Sequence, residues 1–113
     1  MLGIAILAAG CSQRYGGNKM LAPLAGGQTL LGHCIEQCRP LSRLPIIVVS
    51  GAYHNALSQQ PFAASVNLVQ NTHWQQGMAT SIHQAVQCVN RQPADITHLL
   101  VTLLVNQLLL LEM

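Results

Sequence analysis

Arg14 and Lys19 are the first two cations of the chain, and they stand in a stretch of small and polar residues that includes Gly10, Ser12, Gly16 and Gly17. Glycines let backbone N–H groups approach an anion closely, a hydroxyl adds a donor, and fixed positive charge offsets the charge of a phosphate. The chemistry such a loop could do is to hold phosphate groups and stabilise charge that grows on them. The competing reading is a solvated turn after a core strand, and the ordered placement of the two cations argues against it. Directly before the loop, Leu2 to Ala9 is a short apolar run ended by glycine, which predicts a buried β-strand.

Two familiar phosphate loops do not fit. A Walker A loop needs a hydroxyl after its lysine, but Met20 follows Lys19. The dinucleotide fingerprint fails because Cys11 and Ser12 follow Gly10. Leu7-Ala8-Ala9-Gly10-Cys11 also looks like a bacterial lipoprotein signal, with Cys11 as the lipid acceptor. A secretory signal wants a positively charged n-region, and no Lys or Arg precedes Arg14.

The elements that must position the loop follow in order. Residues 10–27 form a long loop punctuated by Pro23 and the Gly26-Gly27 pair. Gln28 or Thr29 opens a helix over 30–38, where Leu30, Leu31, Cys34, Ile35 and Cys38 fall near helical spacing, and Arg39-Pro40 closes it. Leu44 to Ser50 is apolar on both faces, as a parallel strand covered on both sides should be. A short helix over 54–59, a strand over 65–69, a loop over 71–77, an amphipathic helix over 78–89 and a strand over 98–104 complete the pattern. Strands alternating with helices predict an α/β three-layer sandwich with a mainly parallel, Rossmann-like sheet. The leucine-rich tail, LLLLEM, is expected to expose apolar surface.

A second stretch carries chemistry. Asn71 to Ile82 reads NTHWQQGMATSI. Gly77 leads into a helix whose first N–H groups lack partners, and Ser81 would face the same pocket. Without this context Trp74 would read equally well as a core or surface filler. Both stretches lie at the C-terminal ends of predicted parallel strands, where open α/β sheets bind ligands.

Composition bounds the rest. The 113 residues suffice for one compact domain, half are hydrophobic, and only 7% are charged, against roughly 25% in typical soluble domains. With few aromatics, the core is expected to be Leu, Ile, Val and Ala. The net charge is +2 and no basic run exceeds one residue, which speaks against nucleic-acid binding through a basic patch. No apolar stretch approaches the roughly 18 residues of a membrane span. Cys11, Cys34, Cys38 and Cys88 match no zinc spacing, and the five histidines are scattered, so the cysteines read as reduced residues of a cytoplasmic protein.

Leu7 to Lys19 matches L-A-A-G-x-S-x-R-x-G-x-x-K at every fixed position, and Asn71 to Ile82 matches N-x-x-W-x-x-G-M-x-x-S-[IL]. Together they resemble the signature of the MobA-like NTP transferase family, most closely its molybdenum cofactor cytidylyltransferases. Lys19, Leu21, Leu24, Gly26, Leu30 and Leu31 echo the family's continuation of the first motif, with one extra residue after Gly26. The resemblance implies a single NTP-transferase domain over 1–113 with the sheet of nucleotide-diphospho-sugar transferases, C-terminally incomplete. It also implies transfer of CMP, or GMP, from CTP or GTP to molybdopterin with release of pyrophosphate, and molybdoenzymes as receivers of the finished cofactor. By resemblance Arg14 and Lys19 stabilise charge on the β- and γ-phosphates. Leu7, Ala8, Ala9, Gly10 and Ser12 hold base and phosphates through their backbone, and Gly77 and Ser81 border base and ribose.

The family's magnesium ligand departs from its pattern here. After Val101-Thr102-Leu103 the family continues Ala-Asp-Gln-Pro, whereas this chain reads Leu104-Val105-Asn106-Gln107. Asn106 then stands for the aspartate that binds Mg2+, and an amide is a weaker ligand for a hard cation than a carboxylate. Two alternatives follow: a nucleotide-binding remnant without catalysis, or another cytidylyltransferase such as one acting on sugar phosphates. The latter would be expected to lack the Trp74-Gly77-Met78 motif.

Overall fold

The computed structural model describes residues 1–9, 21–92, 95–103 and 108–113. Its centre is β1, Leu2–Ala8, buried along six of its seven residues. β2, Ile47–Ser50, and β4, His98–Leu103, flank β1, both parallel to it. β3, Asn67–Gln70, extends the sheet beyond β2, also parallel, and β5, Leu108–Glu112, runs antiparallel along β4. The order is therefore β3-β2-β1-β4-β5.

Period-two alternation explains the unbroken apolar strands. Ile4, Ile6 and Ala8 face one layer, packing with Val48 of β2 and with Leu31, Ile35 and Cys38 of helix α1, Leu30–Cys38. Leu57 of the short helix α2, His54–Ser58, belongs to the same cluster. Ala5 and Leu7 face the opposite layer with Ile47, Val49, Leu99 and Val101, under Ala85 and Val89 of helix α3, Met78–Asn90. Helices cover both faces, which is the expected three-layer arrangement.

The expected start of α1 is met in detail. Thr29 caps the helix, its hydroxyl accepting from the Gly32 N–H at 3.0 Å. The chain reaches that cap through a tight turn in which Gly26 and Gly27 take φ of +95° and +87°, values that favour glycine. Cys34 and Cys38 share a face one turn apart, as expected. Burial, followed by the neighbouring Cys38, pushes the Cys34 thiol up to about 11. Cys34, Cys38 and Cys88 are all free.

Three expectations shift. The strand read from Leu44 pairs only from Ile47, because Pro45 has no N–H and the Leu44 N–H donates to the Ser42 hydroxyl at 3.1 Å. That hydroxyl itself donates to the Leu2 carbonyl at 2.6 Å, tying the segment to the start of β1. The strand read from Ser65 begins at Asn67, since Pro61–Ser65 winds into a 3-10 turn with proline in its first positions. The leucine-rich tail is not simply exposed. It forms β5, whose Leu111 packs into the α3-side core while Leu110 stays 59% exposed.

Candidate functional site

Parallel pairing brings the ends of β1, β2 and β4 to one edge of the sheet, beside the start of α3. There the backbone closes tightly. The Ala52 N–H donates to the Ala9 carbonyl at 3.1 Å, and the Asn71 N–H donates to the Ser50 carbonyl at 2.7 Å. Gly51 lies where these segments converge. A Cβ added to it would stand 2.5 Å from the Ala9 oxygen and 2.9 Å from Trp74 Cβ and Cγ. Only a glycine lets Trp74 lie against the end of β1.

Beyond Trp74 the chain makes one 3-10 turn, Trp74–Gln76, and reverses at Gly77, whose φ of +116° and ψ of 171° belong to backbone that essentially only glycine adopts. α3 starts there without a side-chain cap; the Thr80 N–H turns back to the Gly77 carbonyl at 3.2 Å, and those of Met78 and Ala79, at the positive end of the dipole, have no partner among the described residues. A cavity of about 240 Å³ opens at this point. Leu7, Ala9 and Leu103 line it from the strand ends, and Trp74, Gly77, Met78 and Ser81 from the loop and helix.

One buried side chain organises the wall. Asn71 has no solvent exposure, and its amide reaches three groups. Its Oδ1 accepts from the His73 N–H at 2.9 Å, while its Nδ2 donates to Thr80 Oγ1 at 2.8 Å and Ser81 Oγ at 2.9 Å. Thr80 Oγ1 in turn lies 2.7 Å from the Gly77 carbonyl and 3.0 Å from that of His73. The loop is therefore bound to the first turn of α3 by side chains as well as by the chain itself.

Residues 4–104 match the MobA-like NTP transferase domain. The chain belongs to that family. No match was found among curated proteins. Among solved structures, it is similar to Rv0371c from Mycobacterium tuberculosis H37Rv, with a TM-score of 0.74 at 24% identity over 91% of this chain and 50% of that one. It is likewise similar to a nucleotidyl transferase from Methanothermobacter thermautotroptrophicus, with a TM-score of 0.73 at 19% identity over 92% of this chain and 50% of that one. At these identities the likeness is one of fold, and the chain spans half the length of both proteins.

Within this MobA-like domain the structure brings Leu7, Ala9, Gly77 and Ser81 to one cavity. Ala8 lies between the first two, buried on the α1 side of the sheet. Gly10, Ser12, Arg14, Lys19 and Asn106 lie outside the described residues. The three carboxylates of the chain are all elsewhere. Glu36 pairs with Arg39 on the outside of α1 at 2.8 Å. Asp95 precedes β4, and Glu112 pairs with the first residue of β4, at the opposite edge of the sheet. A magnesium ion held by protein carboxylate at the cavity therefore does not fit this chain, and among the described residues no group of three metal-binding side chains exists. No helix of the described residues is long and apolar enough to cross a membrane.

Two other features could be mistaken for sites. A larger groove, about 460 Å³, runs along α1 past Thr29, Glu36, Arg39 and Phe62. Its one guanidinium is already engaged, by Glu36 and by Ser65 Oγ at 2.7 Å. Ser50 Oγ and His54 Nδ1 lie 2.5 Å apart like a nucleophile and its base. Ser50 is fully buried, however, so no substrate reaches it, and the pair fastens α2 to the end of β2. Gly51 and Asn71 are what sequence reasoning missed as determinants of the site. Asn71 is legible only as a fixed position of the second motif, and Gly51, which follows the run Leu44 to Ser50, carries no signal of its own.

Proposed function

We propose that this chain is the nucleotide-binding half of a nucleotidyltransferase that moves CMP, or GMP, from CTP or GTP to molybdopterin with release of pyrophosphate. The observation that carries the nucleotide reading is the meeting of the end of β1, after which the glycine-rich sequence follows, and the start of α3 at one cavity at the sheet edge. In this reading the base enters the cavity between Leu7, Trp74 and Met78. The phosphates are held by residues that follow β1 in the sequence, Gly10, Ser12, Arg14 and Lys19. Phosphoryl-type transfer rests mainly on positioning and on stabilising charge, with little covalent work by side chains. Arg14 and Lys19 supply that charge, and the cytidine preference rests on the Gly77-Met78 motif. Molybdoenzymes would receive the product.

The placement of the carboxylates favours a second reading, nucleotide binding without transfer, because Mg2+ would have to arrive with the triphosphate and without a protein carboxylate to hold it. Calorimetric titration with CTP and with GTP, each with magnesium, tests the shared part. Saturable CTP binding that weakens about tenfold or more in Lys19→Ala is expected, the loss of one charge-assisted contact. Pyrophosphate release on adding molybdopterin separates the two readings. A folded protein that binds neither nucleotide refutes both.

A further inference from the structure

The cavity's polarity is set by the amide of Asn71, and its orientation is not a free choice. The His73 backbone N–H can only donate, so the atom that faces it at 2.9 Å must be the amide oxygen. The NH2 group therefore points at Thr80 and Ser81, and each of its two hydrogens has an acceptor, at 2.8 and 2.9 Å. Thr80 spends its own proton on a backbone carbonyl, that of Gly77 at 2.7 Å. Ser81 is different. Its oxygen accepts from Asn71, but among the described residues it donates to nothing. Ser81 is only 4% exposed and lines the cavity. A buried hydroxyl proton without an acceptor is costly, and a ligand in the cavity can supply one.

We infer that Asn71 is a positioning residue whose locked amide turns the Ser81 hydroxyl proton toward the cavity, where it donates to an acceptor on the edge of the bound nucleobase. This rests on the nucleotide reading proposed above. The size of the cavity supports a base in particular. About 240 Å³ is below the roughly 300–1,000 Å³ of pockets that engulf a whole drug-sized ligand, and suits one flat ring system. Its other walls, Leu7, Ala9, Trp74, Met78 and Leu103, are apolar apart from the Trp74 indole N–H, as the faces of a base require. Cytosine offers two such acceptors, O2 and N3, and the Ser81 proton goes to O2, the atom that a sulfur substitution changes.

The test compares CTP with 2-thio-CTP, whose sulfur is a poorer acceptor, in calorimetric titrations of the wild-type protein, Ser81→Ala, Asn71→Asp and the double variant. Wild type is expected to prefer CTP by about three- to tenfold, the worth of one hydrogen bond. Ser81→Ala is expected to erase that preference. Asn71→Asp keeps an acceptor for His73 but turns the group facing Ser81 from donor to acceptor. It should draw the Ser81 proton away and also erase the preference, with no further loss in the double variant. Merely loosened packing would weaken both nucleotides alike and leave their ratio unchanged. A measurement on the wild-type protein needs no variant: both side-chain amide protons of Asn71 should exchange with water far more slowly by NMR than those of an exposed asparagine. Fast exchange, or a preference that survives in Ser81→Ala or in folded Asn71→Asp, overturns the inference while CTP binding stands. Loss of CTP binding in the wild-type protein overturns the nucleotide reading itself.

Discussion

Gly51→Ala is the sharpest probe of the site's architecture, because the structure states what the new methyl group would meet. The added Cβ would lie 2.5 Å from the Ala9 carbonyl oxygen, against the 3.4 Å at which ordinary contact begins, a shortfall of about 0.9 Å. That oxygen belongs to the backbone and already accepts the Ala52 N–H, so it cannot yield cheaply. On the other side Trp74 stands at 2.9 Å through its Cβ and Cγ, which are also fixed near the backbone. Overpacking by extra carbon costs typically 1–3 kcal/mol, and two rigid neighbours place this case near the upper half, at about 2 kcal/mol. For a chain of this size that lowers Tm by roughly 8 °C. Urea unfolding measures the first quantity and a thermal scan the second. Trp74 is the only tryptophan, so its emission reports directly whether the ring has been pushed out. A stability change below about 0.5 kcal/mol, the range of an indifferent surface substitution, with unmoved emission would show that Trp74 does not lie against the end of β1.

Two further outcomes follow from other positions. Gly77→Ala meets no atom within 4 Å, yet its φ of +116° should make it cost about 1–3 kcal/mol through backbone strain alone, which urea unfolding will read as a shifted midpoint. The Cys34 thiol, raised from 9.0 to about 11 chiefly by burial, should react more slowly with iodoacetamide at pH 8 than a free thiol does. The folded form holds this proton to higher pH than the unfolded form. Its contribution to stability should therefore be complete below pH 9 and fall as pH rises toward 11, a decline that Cys34→Ala should diminish.

Most of the fold could be read from the chain because each element carries its own local signal. β1 is apolar throughout because both of its faces are covered, and α1 begins at a threonine whose hydroxyl caps it. Where the reading slipped, a single side chain or a distant partner decided. Pro45 and the Ser42 hydroxyl delay β2; the proline stands in the run Leu44 to Ser50 as a breaker that could be read there, whereas the hydroxyl's contact could not. β5 was unreadable because four successive leucines show no alternation, and only the register opposite β4 gives them two faces. The site divided in the same way. Glycines and the second motif were legible as residue types at fixed spacing. The close approach at Gly51 depends on Ala9 and Trp74, 42 and 23 residues away, and Asn71 acts on Thr80 and Ser81, 9 and 10 residues on. Such distances leave no periodic trace.

β5 has a consequence for how the protein behaves in company. Among the described residues it is the last strand on its side of the sheet, so one row of its backbone donors and acceptors faces outward. Its sequence, LLLLE, has no proline and a single charge at its far end, and Leu110 already stands in solvent. Natural sheets guard such margins with charges, bulges or prolines, since an unguarded margin templates the strand of another molecule. The same leucines that complete the sheet within one molecule make it sticky between molecules, and with a net charge of only +2 little repulsion keeps the copies apart. Self-association of this chain is thus expected at the edge farthest from β3, through residues that do not line the cavity.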